Sequence, residues 1–150
     1  MTPAEIAEEL KNIKPFPNMQ PEVFTALRGL LPMPAVELFV VRSDGSFALL
    51  ERTGQFNGWA MPGGYIGFNE NFEDACKRIA KKELDVDLNS IVFTDVFNWP
   101  ESSARQARGH AISLLFKCTA ESDSKIAKYF SSIPEGILKH HALMLDRVLR

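Results

Sequence analysis

The run from Gly63 to Val86, GGYIGFNENFEDACKRIAKKELDV, limits what this chain can become more than any other stretch. Met61-Pro62-Gly63-Gly64 forces a break, because Pro fixes φ and lacks an N–H while the glycines allow bends and close backbone approaches. Asn69 and Asn71 each suit a helix N-cap, and Glu70, Glu73 and Asp74 suit the positive end of the helix dipole. From Phe72 the apolar residues Ala75, Cys76 and Ile79 follow a helical stripe. Position 83 continues that stripe, and the residue there is Glu83. An acid near a helix C-terminus gains nothing from the dipole, and on the core side it requires a partner. A metal ion, an Arg or a buried Lys would serve; a partly exposed Glu at a frayed helix end is the simpler reading. Arg78 lies off the stripe, placed to hold an acid elsewhere.

The spacing of the same run resembles the Nudix hydrolase signature, Gly-x5-Glu-x7-Arg-Glu-apolar-x-Glu-Glu-x-Gly-apolar. Gly64, Glu70, Arg78, Ala80, Glu83 and Val86 match it, whereas Ile79 and Lys82 replace two glutamates and Asp85 replaces the glycine. Just upstream, Gly58-Trp59-Ala60-Met61-Pro62-Gly63-Gly64 is similar to a second motif of that family, Gly-Trp-x-x-Pro-Gly-Gly. The resemblance spans about residues 35 to 149. It implies an α+β sandwich, with a mixed β-sheet between helices, and a hydrolase of nucleoside diphosphates linked to another group. It also implies Mg²⁺, with Mn²⁺ as the alternative, since the family's helix gathers carboxylates around hard cations. The thinned signature argues against a cluster of several ions. One ion would be held by the Gly64 carbonyl, Glu83, waters and substrate phosphates. Arg78 would orient Glu83, and Glu70 would steady the loop or bind the ion through water. A similar thinning marks the branch resembling GDP-mannose mannosyl hydrolases, which cleave at the sugar carbon, so a nucleotide sugar is the expected substrate. That branch takes its general base and a further ligand from a late loop. Here the loop offers Glu121 and Asp123 and no histidine, and the spacing does not choose between the two acids.

Around this centre the chain reads as short elements. Residues 2–14 and 21–30 suggest two helices in an N-terminal arm, 1–34, ended by Leu31-Pro32-Met33-Pro34. The arm is too small for a domain and is expected to cover a sheet edge, with a homodimer contact as its other role. Ala35–Arg42 and Ser46–Arg52 read as strands joined by a hairpin at Ser43-Asp44-Gly45. Arg52, at the second strand's end, presents forked donors suited to a substrate phosphate, or is simply a solvated strand end. Ile91–Asn98 and His110–Cys118 are further strands. The polar stretch between them carries Arg105 and Arg108, candidates for recruiting an anion. His110 begins its strand and is a candidate substrate contact or a structural hydrogen-bonding residue. Glu135–Leu149 reads as the closing helix, with Leu138, His141, Leu145 and Val148 on one face.

Composition narrows the function classes. The chain has 150 residues, 45% of them hydrophobic, enough for one domain, 35–150, with a proper core. Its net charge of −2, with both signs interspersed, gives no electrostatic case for a nucleic-acid or membrane partner. Small-molecule nucleotides are the expected ligands. Cys76 and Cys118 have no metal-ligand spacing and read as buried free thiols, and no signal peptide is recognised, so a cytoplasmic location is expected. The alternative function is a Nudix-fold nucleotide-binding or sensing module, in which Lys82 replaces the ion beside Glu83.

Overall fold

The computed structural model describes residues 1–54, 57–100 and 109–150, so the expectations for Arg105 and Arg108 lie outside the described residues. The elements are α1 (Pro3–Lys11), α2 (Pro21–Arg28), β1 (Pro32–Val40), β2 (Phe47–Arg52), β3 (Gly58–Ala60), β4 (Gly63–Tyr65), α3 (Phe72–Leu84), β5 (Leu88–Trp99), β6 (His110–Ala120), β7 (Lys128–Phe130) and α4 (Lys139–Leu149). Four strands form a mixed sheet in the order β4-β1-β6-β5, in which only β1 and β6 run parallel. A second, antiparallel sheet has the order β3-β2-β7.

Strand alternation divides the core. Val36, Leu38 and Val40 of β1, with Ala48 and Leu50 of β2, pack against Ala75, Cys76, Ile79 and Leu84 of α3. The opposite faces supply Phe39, Phe47 and Leu49, which pack with Met61, Leu115 and the α4 residues Met144 and Leu145. Both sheets therefore lie between α3 and α4, an α+β sandwich of the expected class. The β1 register also brings one charged residue inside: Glu37 is only 6% exposed.

Three local readings are corrected. The Pro32–Pro34 segment does not end the arm; it is the start of β1, paired in parallel with His110–Ile112. Over these residues β4 is absent from the other side of β1, since its pairing begins at Ala35. A proline lacking an N–H is tolerated where one ladder is missing. The closing helix starts at Lys139 and not at Glu135, because Gly136 takes φ +79° and Ile137 bridges to Trp59. Asn71, and not Asn69, caps α3: its side chain accepts from Asp74 N–H, while Asn69 sits at φ 60° in the loop.

The arm packs at β4, an edge strand of the larger sheet. Phe16 stacks on Phe24, and both rings meet Tyr65 edge-on. The Phe16 carbonyl accepts from Phe68 N–H at 2.9 Å. Cys76 and Cys118 are buried and form no disulfide, and burial pushes both thiols up to about 12. Among the described residues no helix is long and apolar enough to cross a membrane.

Candidate functional site

The site is built where β4, α3 and the end of β2 meet. Gly63 and Gly64 pair with Glu37 and Val36 of β1. A Cβ on Gly63 would overlap the Glu37 carboxylate and stand 2.9 Å from the Val36 carbonyl oxygen, which is why this position takes glycine. Gly64 lies over Ile79, whose Cδ1 would be 3.3 Å from an added Cβ. The isoleucine at the signature's first missing glutamate is thus a core residue filling space under the glycine loop.

Glu83 projects from the last turn of α3 into this junction. Its Oε2 accepts from Arg52 Nη1 at 2.7 Å, and its Oε1 accepts from Arg52 Nη2 at 2.9 Å and from Gly63 N–H at 2.8 Å. The Arg52–Glu83 pair is a bidentate, charge-assisted fork in which Glu83 is the more enclosed partner, its side chain 15% exposed against 37% for Arg52. The hydrogen bonds to Glu83 raise the Arg52 pKa against the opposing effect of burial, and the charges of Glu83 and Glu37 add to the rise. Arg52, a candidate phosphate contact by its place at a strand end, is in the structure the partner that Glu83 requires. Lys82, one residue away, is exposed.

Arg78 does not contact Glu83. Its Nε and Nη2 donate to Glu70 at 2.7 and 2.8 Å, and Nη2 also donates to the Tyr65 carbonyl at 2.9 Å. Glu70 further accepts from Gly67 N–H at 3.0 Å. The Arg78 hydrogen bonds hold the Glu70 carboxyl below its ordinary range. These two residues brace the loop between β4 and α3, and both Glu70 oxygens are engaged in doing so. The reason is reach: Arg78 sits two turns below the loop on the helix side facing Glu70, while Glu83 faces β2.

Asp85, in place of the signature's glycine, is the left-handed C-cap of α3 at φ 53°, a conformation that aspartate tolerates better than most residues. It lies 3.5 Å from Lys81 Nζ.

The remaining candidates make other contacts. Asp123 accepts from Arg42 Nη1 at 3.0 Å, and both line a cleft of about 580 Å³ with Asp44, Glu121 and Tyr129. Arg42 is held there by the Tyr129 ring, 4.0 Å away, and by Ser46. His110 Nε2 is 2.6 Å from Asn98 Oδ1, across the β5–β6 ladder, and lines a separate cavity of about 200 Å³ with Arg28. Neither space includes Glu83 or Arg52 in its lining. Glu37 is the site residue that sequence reasoning missed. The signal was present: an acid inside Ala35-Val36-Glu37-Leu38-Phe39-Val40, a run apolar on both faces.

Donor chemistry at the junction suits a single hard cation. Among the described residues no three His, Cys, Asp or Glu side chains form a ready cage. Two carboxylates, Glu83 and Glu37, do converge on Gly63. One or two protein carboxylates is the share that Mg²⁺ usually takes when substrate phosphates and water complete its shell.

Comparison with known proteins agrees with this architecture. The NUDIX domain model matches residues 31–136. An ADP-ribose pyrophosphatase from Methanocaldococcus jannaschii is 26% identical over 127 residues, covering 78% of this chain and 73% of that protein. A MutT NUDIX hydrolase structure from Burkholderia pseudomallei superposes with a TM-score of 0.68 at 18% identity, covering 79% of this chain and 98% of the other. A bifunctional NMN adenylyltransferase/ADP ribose pyrophosphatase from Francisella tularensis, complexed with AMP and Mn ion, gives a TM-score of 0.59 at 20% identity, covering 79% of this chain and 41% of the larger protein. The family model covers the glycine loop, α3 and most of the sandwich around them, and the chain belongs to that family: it is a NUDIX hydrolase family member.

Proposed function

We propose that the protein hydrolyses a nucleoside diphosphate joined to a sugar, with ADP-ribose and nucleotide sugars such as GDP-mannose as the substrate class. The observation that carries this reading is the Arg52–Glu83–Gly63 junction, where a forked cation and an enclosed carboxylate meet at a glycine loop packed closely on β1. The names of the similar ADP-ribose pyrophosphatases support the diphosphate class. Arg52 suits bidentate contact with a phosphate. Glu83 and Glu37 would hold Mg²⁺, or Mn²⁺ in its place, which when bound neutralises diphosphate charge and stabilises charge developing on the leaving group. The Glu70–Arg78 brace keeps Gly63 and Gly64 in register with β1, so that the backbone edge facing the substrate is preformed. The buried free thiols favour a reducing compartment such as the cytoplasm.

A second reading is supported by one specific observation. Ile79 and Lys82 leave Glu83 as the one acid in the last two turns of α3, and Arg52 already neutralises it. A module that binds nucleotides without turning them over would look like this.

Product analysis separates the readings. The protein is incubated with ADP-ribose, GDP-mannose and related nucleotide sugars plus Mg²⁺, beside a Glu83→Gln control. Nucleoside monophosphate plus sugar phosphate is the expected outcome for attack at phosphorus, and free sugar plus nucleoside diphosphate for attack at the sugar carbon. Absence of any Glu83-dependent product across the panel would overturn the hydrolase reading for this class and leave the binding module.

A further inference from the structure

We infer that Arg52 and a divalent cation are alternative partners of Glu83, so that ion binding displaces Arg52 from the carboxylate and frees its fork for a substrate phosphate. The proposal rests on the reading above in one respect, that Glu83 is the carboxylate that receives the ion. Three observations carry it. First, the Arg52 fork engages both oxygens of Glu83, at 2.7 and 2.9 Å, and Gly63 N–H takes a further lone pair of Oε1. An ion approaching the β2 side of that carboxylate meets a guanidinium already in place. Second, with the Glu83 and Glu37 carboxylates both counted as ionised, Arg52 alone leaves the cluster one negative charge in excess, the ion alone leaves it neutral, and the two together leave it one positive charge in excess. Third, Arg52 is the partner able to leave. It stands at the last residue of β2 with its side chain 37% exposed, whereas Glu83 is 15% exposed and anchored to the loop by Gly63.

A guanidinium does not deprotonate in the working range of a protein, so Arg52 keeps its charge throughout and is displaced from the carboxylate by a competing ion or drawn off by a competing anion. A diphosphate offers Arg52 the same bidentate geometry that it leaves behind. Occupation of the carboxylate by the ion and capture of the phosphate by the arginine therefore favour each other, as coupled binding equilibria must. The residue doing this lies outside the signature helix altogether, thirty-one positions before Glu83 in the chain.

The test is a Mn²⁺ titration of the full chain without nucleotide, following the free-ion paramagnetic resonance signal. Wild type, Arg52→Met, Glu83→Gln and the double variant are compared, each checked for folding by circular dichroism. Arg52→Met keeps the aliphatic stem and removes the competing charge, and it should bind Mn²⁺ roughly tenfold more tightly than wild type or better. The gain should vanish in the double variant. Arg52→Lys, which keeps the charge but not the fork, should give a smaller gain in the same direction, and it replaces the Met variant if that chain does not fold. Affinity in the folded Arg52 variants equal to or weaker than wild type would overturn the competition. If Glu83→Gln binds Mn²⁺ as well as wild type, the carboxylate itself has been misassigned and the underlying site reading fails. Glu83-dependent binding with no gain from removing Arg52 sinks the competition alone.

Discussion

Replacing Arg78 by methionine removes a brace and leaves the hydrophobic stem of the side chain in place. Three hydrogen bonds disappear: two to the Glu70 carboxylate and one to the Tyr65 carbonyl. Exposed ion pairs contribute about 0.2–1 kcal/mol, and stripping one partner from a fully buried pair costs about 3–5 kcal/mol. The Arg78 and Glu70 side chains are 29% and 15% exposed, between those limits but nearer the enclosed one. The expected loss is about 2 kcal/mol, which for a domain of this size lowers the melting midpoint by about 4–8 °C. Urea unfolding followed by tryptophan fluorescence is the appropriate assay, since guanidinium salts would screen the pair under study. Glu70→Gln should cost about 1 kcal/mol, because its amide oxygen still accepts from Gly67 N–H, and the double-mutant cycle should leave a coupling of about 1–1.5 kcal/mol.

The pH dependence fixes the sign. Arg78 hydrogen bonds, set against the opposing effect of burial, lower the folded-state carboxyl of Glu70 below its unfolded value. The stabilisation from Glu70 is therefore fully present above the unfolded value, about 4.3, and is lost as pH falls through the lowered folded one. The gap between wild type and Arg78→Met should be constant from neutral pH down to about 5 and should narrow below about 4. A loss under about 0.5 kcal/mol, or a gap that stays constant in acid while both chains remain folded, would refute the brace as an ionic one.

Two further substitutions probe the same region. Gly63→Ala drives a methyl into the Glu37 carboxylate and against the Val36 carbonyl oxygen at 2.9 Å, and should cost about 1–3 kcal/mol in urea unfolding, whereas Gly64→Ala, which meets only Ile79 Cδ1 at 3.3 Å, should cost less than about 1 kcal/mol. His141→Leu on α4 removes the ring nitrogen Nδ1 that accepts from the buried Met61 N–H at 3.0 Å; leaving that donor unpaired should cost about 1–3 kcal/mol and speed exchange of the Met61 amide hydrogen, measurable by NMR.

The parts of the fold legible in the sequence were those fixed by local chemistry. Asn71 caps α3, and Gly63 accepts a contact that no other side chain allows; Ser43-Asp44-Gly45 makes the expected turn, but the strands it joins lie in different sheets and meet only at the Val41–Phe47 bridge, so the expected hairpin is not formed. The need of Glu83 for a partner was also readable, because a carboxylate placed on an apolar stripe carries its own desolvation cost. The identity of the partner was not. Arg52 reaches Glu83 through the packing of β2 beside α3, and no spacing rule along one chain encodes that contact. The residue reading of Arg78, off the apolar stripe and placed to hold an acid elsewhere, matches its fork on Glu70, whereas the pairing with Glu83 implied by the family resemblance is not formed. Glu37 went unread because a single acid in a strand-like run resembles an outward-facing residue. The apolar residues on both faces of that run are the sign that β1 is covered on both sides, by the α3 core and by the α4 core, so that neither face is left for an outward acid. The closing helix began late because Leu138 N–H bonds the Trp59 carbonyl, a tertiary contact that overrides the helical appearance of Glu135–Leu138.

The docking of the N-terminal arm sets a limit on excision. The family match begins at residue 31, beyond α1, Phe16 and α2. A fragment cut there would keep every residue of the glycine loop and α3. It would also strip the Tyr65 ring of both aromatic neighbours and the Phe68 N–H of its acceptor. Tyr65 is the residue whose carbonyl Arg78 grips. The smallest unit that keeps this loop intact is therefore longer than the family domain, and its N-terminal boundary lies before Phe16.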